Sequence, residues 1–247
     1  MALVFKRSKG KKKFTELNKL IFGFPKTGKT TICSHMKDGD KEPLFVSTED
    51  GAGELDIVLA NIRDWEAFLK FIKYCEDNVD EVRKTHSCLI VDLVSDLDDF
   101  AANYVCRKAK VKALADLPYG AGWSQHKDEF KGAMTRLFDI LPVTFVTHTK
   151  EKELNYMGQT VQTQAPTMSN RNFDFINGKV DAIGYIVPAG SDKKDKPLLS
   201  FRPTRTAIAG SRFEKLTEKD FILDFKDMEG SYLAIASHFD GGDSEKE

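Results

Sequence analysis

The chain has 247 residues, of which 41% are hydrophobic and 30% are charged, and its formal net charge is −1. This length and composition suit one α/β domain with a sizeable core, and the net charge excludes a global basic footprint. No apolar run in the sequence reaches the roughly 18 residues of a membrane span, and the N-terminal segment is basic where a signal peptide is apolar. The four cysteines form no C-x-x-C pair. We therefore expect a cytoplasmic protein with reduced thiols and without structural zinc.

Charged residues concentrate at both ends of the chain. Six basic residues lie between Lys6 and Lys13 with no acidic residue among them, and four acidic residues lie between Asp240 and Glu247. Such runs are typical of flexible tails. The sequence therefore predicts a basic arm over 1–13, one folded domain over 14–237 and an acidic tail over 238–247. The arm either binds nucleic acid or is simply solvated.

Strands and helices alternate along the first part of the domain. Apolar runs predict strands at 20–22, 43–48, 88–92 and 143–148. Helical spacing of apolar residues predicts helices at 30–36, 64–80, 96–112 and 124–141. This alternation predicts a mostly parallel sheet with helices on both faces.

The later part of the domain has a different pattern. Glycines mark a loop at 117–123, and the polar segment 149–178 reads as a long loop, which is usually functional or disordered. Strands are predicted at 180–187, 197–202 and 204–208. Their short connections predict hairpins, and therefore an antiparallel C-terminal edge of the sheet.

The segment from Gly23 to Thr30 reads G-x-x-x-x-G-K-T, the pattern of a phosphate-binding P-loop. A predicted strand leads into it and a predicted helix leads out, a context that an ordinary glycine turn lacks. Backbone N–H groups would point at phosphate oxygens, Lys29 would reach the β- and γ-phosphates, and the Thr30 hydroxyl would bind Mg²⁺. The pattern thus predicts binding of a nucleoside triphosphate, expected to be ATP, with Mg²⁺. The predicted nucleotide-binding residues are Gly23, Phe24, Pro25, Lys26, Thr27, Gly28, Lys29, Thr30 and Thr31.

Two carboxylates follow predicted strands. Asp92 ends an apolar strand, where a Walker B aspartate would hold Mg²⁺ together with Thr30. Glu49 closes the second strand, and strand ends line the ligand crevice of such sheets. Its carboxylate would orient or deprotonate the water that attacks the γ-phosphate. The alternative is a surface carboxylate in a turn, and Asp50 is the weaker candidate because it lies farther from the strand.

His148 ends the strand after Asp92. A polar side chain there would sense the γ-phosphate and transmit its presence to the loop behind it; the alternative is a histidine that merely hydrogen-bonds at a strand end. The polar segment 149–178 then combines basic and aromatic residues, a combination suited to single-stranded nucleic acid. The alternative is a mobile lid without such a ligand. The predicted DNA-binding residues are Lys150, Lys152, Tyr156, Arg171 and Phe173.

The order of P-loop, Glu49, Asp92 and His148 resembles the RecA-like ATPases. The match is closer to small phage recombination ATPases of the Sak-four single-strand annealing type. The segments that carry this resemblance are 23–30, 47–50, 119–123, 147–151, 180–185 and 210–213, within about 15–225.

This resemblance implies that 14–237 is a RecA-like ATPase domain of phage recombination or replication. It also implies DNA-binding loops at roughly 112–124 and 149–178, a homo-oligomer, and a phage or host single-strand-binding or replication protein as a partner. Only a short basic arm stands where RecA has a helical polymerisation segment. The sequence therefore leaves three forms of oligomer equally possible: a filament, a ring and a small oligomer.

Two other functions remain open at this stage. One is a helicase-loading or motor ATPase that acts on a protein partner. The other is a small-molecule kinase, which usually needs an arginine-rich lid that this sequence lacks. In an oligomer, Arg212 would reach a neighbour's nucleotide as a catalytic cation. A plain surface arginine is the alternative, and other cations compete for the role: Lys193, Lys194, Arg202 and Arg205.

Overall fold

The computed structural model describes residues 10, 13–49, 55–190 and 195–241. Most of the predicted basic arm and Asp50 therefore lie outside the described residues. The strands are β1 Lys19–Gly23, β2 Glu42–Ser47, β3 Val58–Asn61, β4 His86–Asp92, β5 Val143–Tyr156, β6 Gln159–Pro166, β7 Ala182–Val187, β8 Leu198–Ser200, β9 Gly210–Ser211 and β10 Phe221–Ile222. The helices are α1 Lys29–Ser34, α2 Trp65–Asp77, α3 Val79–Thr85, α4 Val94–Ala109, α5 Ala121–Ile140, α6 Asn170–Lys179, α7 Glu214–Thr217 and α8 Met228–Asp240.

One sheet runs through the fold in the order β10-β8-β7-β1-β5-β4-β2-β3. The pairs from β7 through β1, β5, β4 and β2 to β3 are all parallel. At the other edge β8 runs antiparallel to β7, and β10 runs antiparallel to β8. The predicted fold class, a mostly parallel α/β sheet with an antiparallel C-terminal edge, is confirmed.

Apolar side chains fill both faces of the sheet. On one face α2, α4, α5 and α6 pack against Phe22 and Phe145. Helix α2 buries Trp65, Phe68, Ile72 and Cys75 at helical spacing, and Asp64 caps it by accepting from the N–H of Ala67 at 2.7 Å. On the other face α1 and α8 pack together over the sheet. Helices therefore cover both faces, as the alternation of elements predicts.

The predicted long loop at 149–178 is wrong. Strand β5 continues through Tyr156 and turns back into β6, and α6 follows. Met157 and Gly158 form the two-residue turn with positive φ angles of 51° and 83°, as tight hairpins require. The hairpin extends past the parallel part of the sheet, so much of it is exposed and lacks the apolar alternation that reveals a strand.

Two smaller expectations also differ from the structure. The predicted strand at 204–208 is wrong: the segment runs beside β6 with one isolated bridge, between Ala207 and Gln164. The glycine loop at 117–123 is partly helical, because α5 begins at Ala121. A Cβ on Gly122 would lie 2.2 Å from the Leu114 carbonyl oxygen, so this close approach requires glycine.

The C-terminal boundary of the folded part lies beyond the predicted one. Helix α8 runs to Asp240, so 238–240 belong to the last turn of a helix. The Asp240 carboxylate accepts from the N–H of Phe14 at 2.8 Å and joins the two ends of the domain. The rest of the predicted acidic tail, apart from Gly241, lies outside the described residues. Among the described helices none is long and apolar enough to cross a membrane.

Candidate nucleotide-binding site

The parallel strands bring the predicted site residues to one edge of the sheet. Gly23 at the end of β1 is in register with His148, and Asp92 at the end of β4 is in register with Ser47. Glu49 follows Ser47 by two residues. The P-loop, both carboxylates and the histidine therefore meet where the carboxyl ends of the strands lie, which is the usual ligand position in such sheets.

The P-loop is closed by its own side chains. Thr27 Oγ1 donates to the Phe24 carbonyl at 2.8 Å, and Gly28 takes a φ of 91°, a conformation that favours glycine. Lys29 Nζ donates to the carbonyls of Gly23 and Phe24 at 3.2 and 2.8 Å. The lysine therefore lies folded over the loop, where phosphate oxygens can replace these carbonyl acceptors.

Lys29 is a buried cation among opposite charges. Burial lowers the pKa of its ammonium, while the carboxylates of Asp92 and Glu49 oppose that shift. His148 Nδ1 lies 3.4 Å from Lys29 Nζ. The predicted sensor histidine thus contacts the side chain that is predicted to hold the β- and γ-phosphates.

Thr30 and Asp92 form the predicted metal-binding pair. Thr30 Oγ1 donates to Asp92 Oδ2 at 2.6 Å. Burial raises the pKa of Asp92, and the Thr30 hydrogen bond and Lys29 counteract the shift. A hydroxyl and a carboxylate are oxygen donors of the kind that Mg²⁺ prefers, with water and phosphate oxygens completing its shell. Within the described ranges there is no cluster of three His, Cys, Asp or Glu residues that could hold a metal alone.

Glu49 is exposed at the end of β2. Its charge acts on both Lys29 and Asp92: it opposes the lowering of the lysine pKa and adds to the raising of the aspartate pKa. The carboxylate therefore lies within electrostatic reach of the P-loop. This position suits a base for the attacking water. Asp50, its rival, lies outside the described residues.

Sequence reasoning missed the residues that fix the backbone beside Glu49. The Thr48 hydroxyl accepts from the N–H of Leu93 at 3.1 Å and donates to Asp96 Oδ2 at 2.7 Å. Arg63 Nη1 donates to the Thr48 carbonyl at 3.0 Å. The two bonds of the hydroxyl tie the residue before Glu49 to the end of β4 and the start of α4, and Arg63 ties it to the segment between β3 and α2. Polar residues directly after each strand were the signal in the sequence.

His148 connects the site to the hairpin. Its carbonyl accepts from the N–H of Thr167 at 2.9 Å, and Thr147 Oγ1 donates to the Thr167 carbonyl at 2.9 Å. Thr167 lies between β6 and α6. The backbone of His148 and the side chain of Thr147 are therefore joined to the segment just before α6.

The hairpin and α6 bring together most of the predicted DNA-binding side chains. Lys150 Nζ donates to the Met168 carbonyl at 2.7 Å, and Lys152 Nζ lies 3.3 Å from Asn170 Oδ1. Arg171 is exposed in the first turn of α6. The ring of Tyr156 is 46% exposed and carries the Arg205 guanidinium 4.6 Å from its centre.

Phe173 does not belong to this surface. Its side chain is only 9% exposed and packs in the apolar core beneath α6. The ring is therefore unavailable for stacking on a base in this fold. Helical spacing explains the difference, because Phe173 and Ile176 share the inner face of α6.

Arg212 lies at the opposite end of the sheet from the P-loop. It follows β9, which pairs with the first residues of β7. Its guanidinium donates to the Gly178 carbonyl at 2.9 Å and lies 3.8 Å from Asp181. In its own chain Arg212 thus does not reach the nucleotide, and a role in a neighbouring subunit stays a prediction. Among its rivals, Arg202 donates to the carbonyls of Thr217 and Glu218 at the end of α7, and Lys193 and Lys194 lie outside the described residues.

A glycine-ended strand, a lysine folded over the loop and a threonine–aspartate pair together define a P-loop nucleotide-binding domain. The chain belongs to the AAA_24 family, described as an AAA domain, whose pattern matches residues 15–213.

A relative in Bacillus subtilis strain 168 is the SPbeta prophage-derived uncharacterized protein YorG, which is 25% identical over 202 residues. The match covers 78% of this chain and 58% of YorG, so the chain spans little more than half the length of that relative. The solved structure of a KaiC-like protein from Pyrococcus horikoshii is similar with a TM-score of 0.45 at 13% identity, over 85% of each chain.

Proposed function

We propose that this chain binds ATP with Mg²⁺, hydrolyses it, and couples hydrolysis to single-stranded DNA in phage recombination or replication. The observation that best supports nucleotide binding is the hydrogen-bonded pair of Thr30 and Asp92, at 2.6 Å, beside the buried Lys29. Lys29 would offset the charge of the β- and γ-phosphates. Thr30 and Asp92 would hold Mg²⁺, which would supply further positive charge to the phosphates.

Hydrolysis requires an activated water molecule. Glu49 accepts a proton from the water as its oxygen attacks the γ-phosphorus, and the bond to the β,γ-bridging oxygen breaks, releasing ADP and phosphate. His148, beside Lys29, registers whether the γ-phosphate is present. The bonds from His148 and Thr147 to Thr167 then pass this difference to the hairpin and α6.

The DNA-binding part of the proposal rests on the composition of one surface. Lys150, Lys152, Arg171 and Tyr156 lie on or beside the hairpin, where basic groups suit phosphates and an aromatic ring suits a base. Tyr119, in the other proposed DNA loop, is fully exposed. The prophage origin that YorG's name states supports a phage role, and a homo-oligomer and a single-strand-binding or replication partner belong to the same proposal.

ATP turnover with and without single-stranded DNA tests this function. We expect DNA to stimulate phosphate release, and a duplex of the same sequence to stimulate it less. Turnover that is unchanged by DNA would contradict the DNA coupling and favour an ATPase that acts on a protein partner. Transfer of phosphate to a nucleoside would favour a kinase.

A further inference from the structure

Phe225 lies against the P-loop, although it is 202 residues downstream of Gly23. A Cβ placed on Gly28 would lie 3.1 Å from Cε1 of the Phe225 ring and 3.1 Å from Cε of Met228. Met228 is buried, whereas Phe225 is 56% exposed. One side of this aromatic ring therefore contacts the loop that is proposed to hold phosphates, and much of the rest is open to solvent.

The order of the strands fixes which end of a nucleotide would lie near Phe225. Lys29 follows β1. On one side of β1, Asp92, which is proposed to hold Mg²⁺, ends β4, and His148, which is proposed to sense the γ-phosphate, lies within β5. Phe225 follows β10, which lies on the other side of β1, beyond β7 and β8. The γ-phosphate and the base are opposite ends of the molecule. With the γ-phosphate between Lys29 and Asp92, a nucleoside that crosses to the other side of β1 would come toward Phe225.

The backbone around Phe225 is held in place. The N–H of Leu223 donates to the Pro197 carbonyl at 2.8 Å, and the N–H of Asp224 donates to Ser231 Oγ at 2.9 Å. The Asp224 carboxylate also forms an ion pair with Lys196 at 2.6 Å. The segment is thus fixed to the residues just before β8 and to α8. An exposed ring on a fixed backbone loses little freedom when it contacts a ligand.

We propose that Phe225 is the platform on which the base of the bound nucleotide stacks. This inference rests on the proposed function, because it assumes that the P-loop holds a nucleoside triphosphate. An aromatic ring can stack on the π-face of any base. Stacking on Phe225 would therefore strengthen the binding of every nucleotide without selecting one base. The expected ligand class is nucleoside triphosphates in general, with purines bound best because their π-face is larger.

Binding of ATP and of inorganic tripolyphosphate, each with Mg²⁺, separates the base from the phosphates. The dissociation constants are measured by calorimetry on the full chain and on the variants Phe225→Ala, Phe225→Trp and Ile222→Ala. Ile222 is the matched control, since it is an apolar side chain in β10, three residues before Phe225, and is 58% exposed. Melting temperatures show whether each variant is folded.

We expect Phe225→Ala to weaken ATP by about 5- to 150-fold, the range for losing one base–aromatic stack, and to leave tripolyphosphate unchanged. Phe225→Trp should retain ATP affinity, and its added indole emission should change with ATP but not with tripolyphosphate. Ile222→Ala should bind both ligands as the wild type does.

Two results would overturn the inference while leaving the proposed function intact. One is an equal loss of ATP and tripolyphosphate in Phe225→Ala, which would mean that the ring only supports the loop. The other is unchanged ATP binding in that variant. If the wild-type chain binds neither ligand, the proposed function fails and the inference fails with it.

Discussion

Replacing Thr48 by valine removes one hydroxyl and leaves the shape of the side chain nearly unchanged. In the structure this hydroxyl accepts from the buried backbone of Leu93 and donates to Asp96. Valine leaves the Leu93 N–H without its acceptor, at a cost of about 1–3 kcal/mol. Asp96 is only partly buried, so water can replace much of the hydrogen bond that its carboxylate loses. We therefore expect the free energy of unfolding to fall by about 2 kcal/mol, and the melting temperature to fall by about 4–8 °C for a chain of this size.

The same substitution should impair catalysis more than binding. Thr48 precedes Glu49, and a displacement of about 1 Å in a catalytic group costs about 10²-fold in rate. The turnover of ATP should therefore fall, while ATP affinity, which depends on the P-loop, should change little. Thr48→Ser keeps the hydroxyl and should restore both stability and turnover. A Thr48→Val variant that melts and turns over like the wild type would refute the idea that this hydroxyl positions Glu49.

Three further variants test separate parts of the site. Glu49→Gln keeps the shape of the side chain but removes the base, so phosphate release should fall by about 10²–10⁴-fold while ATP still binds. If Glu49→Gln is fully active and Asp50→Asn is inactive, the base is Asp50 and not Glu49. Thr30→Ala should weaken nucleotide binding with Mg²⁺ more than binding in EDTA, and an equal loss would contradict its role as a metal ligand. Neutralising the basic side chains near the hairpin should weaken single-strand binding and flatten its salt dependence; an unchanged slope would mean that DNA binds elsewhere. The residues of that last variant are Lys150, Lys152 and Arg171.

The sequence predicts best those parts of the site whose residues are close along the chain. The P-loop is complete within Gly23–Thr30, and the structure places it between a strand and a helix, as the pattern requires. Asp92 was predictable because a buried apolar strand ends at it. The position of Glu49 near the end of β2 follows the same rule. His148 does not end its strand, because β5 runs on to Tyr156, but it lies beside Gly23, where the pairing of β5 with β1 ends.

The parts that depend on distant packing were not predictable. The hairpin after His148 lies on the surface, so its strands lack apolar alternation and read as a loop. Phe173 reads as an exposed aromatic in a polar segment until α6 places it in the core. Phe225 contacts Gly28 only because β8, β10 and α8 carry the C-terminal segment back to the P-loop, and nothing in its local sequence indicates this.

The central claim is that the site around Lys29 binds and hydrolyses ATP. Phosphate release from Mg²⁺–ATP by the full chain, compared with Lys29→Ala prepared in the same way, tests it most directly. We predict steady release by the wild type and none above background by the variant, because the ammonium of Lys29 supplies the charge that holds the β- and γ-phosphates. Equal release by both proteins, or ATP binding by Lys29→Ala with wild-type affinity, would contradict the assignment of this site.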